Sequence, residues 1–129
     1  MTYRSNMALV PREDDEQIVV MRWAHLNAHN YPGLELLHHI PNGGKRSGRE
    51  AVRFRELGVK PGMPDLHLPV ACGMYHSLYI EMKRRKGGRV SEAQARCMAQ
   101  LEKAGNMCRV CYGADEAIEA IRQYYKERL

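Results

Sequence analysis

From Asp65 onward the apolar residues recur with a period of two. Leu66, Leu68 and Val70 alternate with Asp65, His67 and Pro69; then, past Cys72-Gly73, Leu78, Ile80 and Met82 alternate with Tyr79, Glu81 and Lys83. Successive strand side chains point to opposite faces, so both segments read as half-buried strands, and the Cys72-Gly73 turn makes them a hairpin. The other elements are placed around this pair. Residues 14–29 read as a first helix, with acids at the front and apolar residues at 19, 20, 23, 24 and 26. Residues 34–40 read as a short strand, broken by Pro41-Asn42-Gly43-Gly44, and 48–57 as a helix stopped by Gly58. After a basic turn over 83–89, a helix runs from Ser91 to about Ala104, a strand covers 106–112 and a last helix covers 115–126. The order α, β, α, β, β, α, β, α, without repeat or long linker, gives an α/β class and a single domain over 1–129. Its core is expected at 13–125, with 1–12 as a flexible N-terminal tail.

Composition narrows the class further. The chain has 129 residues, 44% hydrophobic and 27% charged, which is ordinary globular usage rather than that of a disordered or collagen-like chain. No apolar run approaches the roughly 20 residues of a membrane helix, and the N-terminus meets acids before a signal-like stretch can form. A soluble, cytoplasmic protein with no membrane partner is expected. Cys72, Cys97, Cys108 and Cys111 are too few and too irregular for a disulfide framework and read as reduced. The formal charge is +5, but residues 45–96 hold twelve Lys and Arg against five acids, so the middle of the chain carries the positive field. That field suits a polyanion or a solvated basic face, and charge alone leaves both open.

The chemistry lies in Pro64-Asp65, a gap of fifteen residues, and Glu81-Met82-Lys83. Alternation puts Glu81 and Lys83 on one face, while Met82 joins Ile80 and Leu78 in the core. Asp65 begins the partner strand, so hairpin pairing brings two carboxylates within the span of one hard divalent cation, beside a lysine. Phosphodiester hydrolysis uses such a set: the cation neutralises charge developing on phosphate and acidifies water, and the lysine orients or helps deprotonate that water.

These residues resemble a known family. Residues 58–66, 78–83 and 88–94, with Gly105, are similar to the motifs of the virus-type replication-repair nuclease domain, VRR-NUC, of the PD-(D/E)xK nuclease superfamily. The likeness spans about 13–125. It implies a restriction-endonuclease-like core, a small mixed β-sheet flanked by α-helices. It assigns Asp65, Glu81 and the main-chain carbonyl of Met82 to a Mg2+ or Mn2+ ion and Lys83 to catalysis. It casts Glu16, out of the acidic run 13–16, as the helical acid completing the metal site, although any of these acids would serve a helix N-terminus. Gln94 has two readings, as the far half of a capping box with Ser91 and as the family's glutamine facing the site.

His38, His39 and Asn42 lead into a glycine-rich loop with Lys45 and Arg46, resembling a family segment that lies beside the active site. Together with Arg84, Arg85, Lys86 and Arg89, Asn42, Lys45 and Arg46 are expected to contact DNA phosphates. Cys108 and Cys111 face opposite sides of a strand and lack a second ligand pair, which argues against zinc, and His25, His29, His67 and His76 have no metal-site spacing. The resemblance implies an endonuclease acting on branched DNA in replication and repair, resolving Holliday junctions as a homodimer, with a viral or prophage origin fitting. Flap, nick or duplex cleavage, or a non-catalytic nucleic-acid-binding module, are the alternatives. Trp23, Tyr31, Leu34, Tyr124 and Tyr125 are candidate dimer-interface residues, against a role in finishing the core.

Overall fold

The computed structural model describes residues 10–41 and 48–128. In chain order the elements are α1 (Glu13–Asn27), β1 (His38–His39), α2 (Gly48–Leu57), β2 (Leu66–Leu68), β3 (Leu78–Lys83), α3 (Glu92–Lys103), β4 (Met107–Tyr112) and α4 (Ala114–Lys126), with short 3-10 turns at Ala28–Asn30 and Leu34–Leu36. The strands form one mixed sheet in the order β1-β2-β3-β4. β1 and β2 pair antiparallel, as do β2 and β3, while β4 runs parallel to β3 after the α3 crossover.

The hairpin of the period-two segments is present, with Leu66 opposite Ile80 and Leu68 opposite Leu78. Its first strand stops at Leu68, because Pro69 has no N–H for the ladder. The expected strand over 34–40 shrinks to two residues. Leu34 and Leu37 are both buried while Leu36 is exposed, a spacing of three that a 3-10 turn satisfies and a strand does not.

Two layers of helix cover the sheet. On one face Leu66, Leu68, Leu78, Ile80 and Met82 pack with Val20 and Ala24 of α1 and Ala117, Ile121 and Tyr124 of α4. Each large side chain buried there contributes about 1.5–3 kcal/mol. On the other face Cys108 of β4 meets Met98 of α3. Tyr79, Glu81 and Lys83 share this second face by alternation. The fold thus turns the chemistry-bearing side of β3 toward the start of α3. Among the described residues no helix is long and apolar enough to cross a membrane.

Candidate active site

Asp65 sits one residue ahead of β2 and is tied down on both sides. Its carbonyl oxygen accepts from the Ile40 N–H at 2.8 Å. On the other side its Oδ2 accepts from the Met82 N–H at 2.7 Å. Continued past Leu66, the register sets Pro64 opposite Met82, and there the acceptor for the Met82 N–H is the aspartate side chain, the closing contact of the β2–β3 ladder. The Nδ1 of His39 lies 2.9 Å from the same Asp65 carbonyl and 3.1 Å from the Gln17 amide nitrogen, linking α1 to this corner.

Glu81 is 2% exposed and Lys83 7%. Lys83 Nζ is 3.4 Å from Glu81 Oε2. The same oxygen accepts from Gln94 Nε2 at 2.8 Å. Gln94 Oε1 meanwhile accepts from the Ser91 N–H at 2.9 Å, and Ser91 Oγ accepts from the Gln94 N–H. The two readings of Gln94 are therefore compatible: one side chain closes the capping box of α3 and fixes Glu81. Gly88 lets the basic turn fold over this lysine, since a Cβ there would stand 3.0 Å from the Lys83 Cβ.

Burial, and then the negative charge of Asp65, push the Glu81 carboxyl up from 4.5 to about 7, against the pull of Lys83. Burial also raises Asp65, partly offset by the Met82 N–H. Among the described residues Glu81 Oε1 is buried with no hydrogen-bond partner. An orphaned carboxylate oxygen beside a second acid fits a hard divalent cation. Among the described residues no three His, Cys, Asp or Glu side chains cluster to hold a metal. The two carboxylates, Asp65 and Glu81, are the donor set the site offers.

The family profile for the VRR-NUC domain matches residues 11–115. The chain belongs to the VRR-NUC family. It also resembles a solved structure of a VRR_NUC domain protein, at 35% identity and a TM-score of 0.77, over 91% of this chain and 90% of that one. A comparison with curated proteins gives no match. Membership makes this a nuclease domain of the PD-(D/E)xK type, with DNA as its partner, in a superfamily that generally uses divalent metals. The sheet and its flanking helices are consistent with that core.

Within this VRR-NUC domain Glu16, the helical acid of the sequence reading, meets a cation and a main-chain N–H. Glu16 is 3% exposed, but its oxygens are already engaged: Arg85 Nε donates to Oε2 at 2.6 Å, while Arg85 Nη2 and the Ala114 N–H donate to Oε1 at 3.2 and 3.0 Å. Arg85, foremost, holds its carboxyl below the usual range. Glu16 ties α1 to the end of β3 and to the start of α4. Glu13, one turn earlier on α1, adds a small upward push to the Glu81 carboxyl, the least of its causes. Arg85, expected on DNA, spends its guanidinium on Glu16. Arg84, Lys86 and Arg89 are exposed, Arg84 reaching the Val10 carbonyl at 3.3 Å. Asn42, Lys45 and Arg46 lie outside the described residues. Cys108 and Cys111 are free thiols, each pushed up to about 12 by burial, on opposite faces of β4. His67 stacks on Tyr79 at 4.2 Å and bonds Ser77, a packing role.

Proposed function

We propose that this VRR-NUC protein is a divalent-metal-dependent DNA endonuclease that cuts branched DNA, with four-way junctions resolved by a homodimer in the cytoplasm of a bacterial or phage-infected cell. The observation that carries the reading is Glu81, buried, with one oxygen fixed by Gln94 and Lys83 and the other unpartnered beside Asp65. Asp65, Glu81 and the Met82 carbonyl would hold Mg2+ or Mn2+, with Glu13 completing the negative field. Bound there, the ion supplies Lewis-acid stabilisation of phosphate and a more acidic water. Lys83 donates from a fixed Nζ to the attacking water or a phosphate oxygen, and its burial keeps bulk water from competing. Gln94 sets the carboxylate plane of Glu81. Pure DNA binding would gain nothing from buried acids next to phosphate, where they repel it. Incubating the protein with four-way junction, flap, nicked and linear duplexes in Mg2+ and Mn2+ tests the reading. Junction cleavage dependent on the ion is expected, and failure to cut any of them refutes it.

Three of the five candidates for the dimer surface are taken up inside the protomer. Leu34, Tyr124 and Tyr125 are buried, and half-buried Tyr31 packs between Trp23 and Tyr125 at ring distances of 5.7 and 5.1 Å. We place the dimer contact on a neighbouring face of α1. Ile18, Val19 and Leu26 on α1 are 49%, 46% and 70% exposed and supply an apolar face. Isologous antiparallel pairing of two α1 helices sets Asp14 and Asp15 of one copy toward Arg22 and His25 of the other. Light scattering should give twice the chain mass for wild type and the monomer mass for Ile18→Arg. Mixed dimers with Lys83→Ala subunits should nick only one strand of a junction.

A further inference from the structure

A groove of about 400 Å3 runs between α3 and the connector that leads into Pro64-Asp65. Met63, Cys97 and Leu101 line its floor; Lys60, Arg96 and Gln100 stand at its rim, and among the described residues no acid lines it. The floor is closed by sulfur, with Cys97 Sγ 3.3 Å from Met63 Sδ. Its width is set by main chain against main chain: Gly62, at φ 86°, lies so close to α3 that a Cβ would stand 2.7 Å from the Ala93 carbonyl oxygen. Arg96 is 73% exposed and holds only a loose 4.0 Å contact to Glu92. Lys60 is exposed and has no ion pair among the described residues.

The groove is continuous with the site. Met63 precedes Pro64-Asp65 by one residue. Ala93 is next to Gln94, which holds Glu81, and Cys97 is one turn further along the same side of α3. An apolar trough with cations along its edge is the surface a nucleic-acid strand uses, base or sugar on the floor and phosphates on the rim. We propose that this groove carries the DNA strand flanking the cleaved phosphate, with Lys60 and Arg96 on successive phosphates. The proposal rests on the nuclease reading above and adds the path of the strand.

The test uses the full chain and substrates that it cuts, with the cleaved strand shortened nucleotide by nucleotide on either side of the cut. Shortening on the groove side should raise the wild-type KM about tenfold. The double variant Lys60→Glu/Arg96→Glu should show that higher KM on the long strand and no further response to shortening. Its binding in EDTA should show a salt slope smaller by about 0.7 for each single-strand phosphate that the variant no longer neutralises. Both side chains are exposed, so its thermal melt should match wild type. In a second arm, DNA carrying an activated disulfide tether on the base beside the cut should couple to Cys97, since Cys72, Cys108 and Cys111 are buried. A double variant with the wild-type KM and the wild-type response to shortening overturns the proposal. If wild type cuts no DNA, the nuclease reading fails instead, and the binding and coupling arms still decide whether a strand lies in the groove.

Discussion

Glu16 and Glu81 are buried to nearly the same extent, 3% and 2% exposed, yet their carboxyls move in opposite directions. Glu16 meets a forked guanidinium and a main-chain N–H at the head of α4, so its charge is satisfied. Glu81 meets one amide, a lysine at 3.4 Å and another acid, and keeps an oxygen with no donor. Burial alone therefore does not identify a functional carboxylate. In the proposed function it is the deficit of partners that marks Glu81, because an unsatisfied buried oxygen calls for something else to complete it.

The contrast can be broken most sharply by activity. Lys83→Ala and Glu81→Gln should each lower the cleavage rate by about 10^3-fold or more, with junction binding retained. Glu16→Gln, measured at a temperature where it is folded, should stay within a few-fold of wild type. Equal losses in Glu16→Gln and Glu81→Gln would erase the distinction. Calorimetric titration with Mn2+ separates the two acids next: Asp65→Asn and Glu81→Gln should lose the ion, Glu13→Gln should weaken it about tenfold, and Glu16→Gln should leave it unchanged.

Stability should reverse the ranking. Glu16→Gln should cost about 1–3 kcal/mol in chemical denaturation, a range lowered because Arg85 is half exposed. Glu81→Gln in metal-free protein should be neutral or stabilising. The smallest effect is in the pH dependence, where the two groups have opposite signs. Glu16, depressed in the fold, stabilises above the ordinary glutamate value of 4.5 and loses that contribution as pH falls through its folded value. Glu81, raised to about 7, favours the folded state when protonated, so metal-free stability should fall as pH rises from 4.5 to about 7. Thermal melts across that range, with Glu81→Gln as the control lacking the slope, check the sign.

The hairpin and the approach of Asp65 to the Glu81 strand were legible because a period of two fixes both face and register. The face of α1 was harder, since four consecutive acids offer every rotation. The signal lay in spacing: Glu16, Val20 and Ala24 are all buried and recur every four residues, so Glu16 belongs to the core stripe. Glu13 and Gln17 form a neighbouring row, and Gln17 reaches His39 beside Asp65. The aromatic residues were ambiguous for a different reason. A chain this small needs its largest side chains inside, and no local pattern tells a core tyrosine from an interface one. The Arg85–Glu16 contact spans 69 positions and leaves no trace in either segment.

The closing contact of the β2–β3 ladder is not main chain to main chain but a carboxylate that also belongs to the reactive site. The end of this inner ladder is therefore sensitive to solution chemistry. Whatever changes the charge on Asp65, a proton or a cation, changes the acceptor seen by the Met82 amide hydrogen. That single hydrogen makes the backbone a built-in gauge of site occupancy, readable by amide exchange or chemical shift without a label and without turnover.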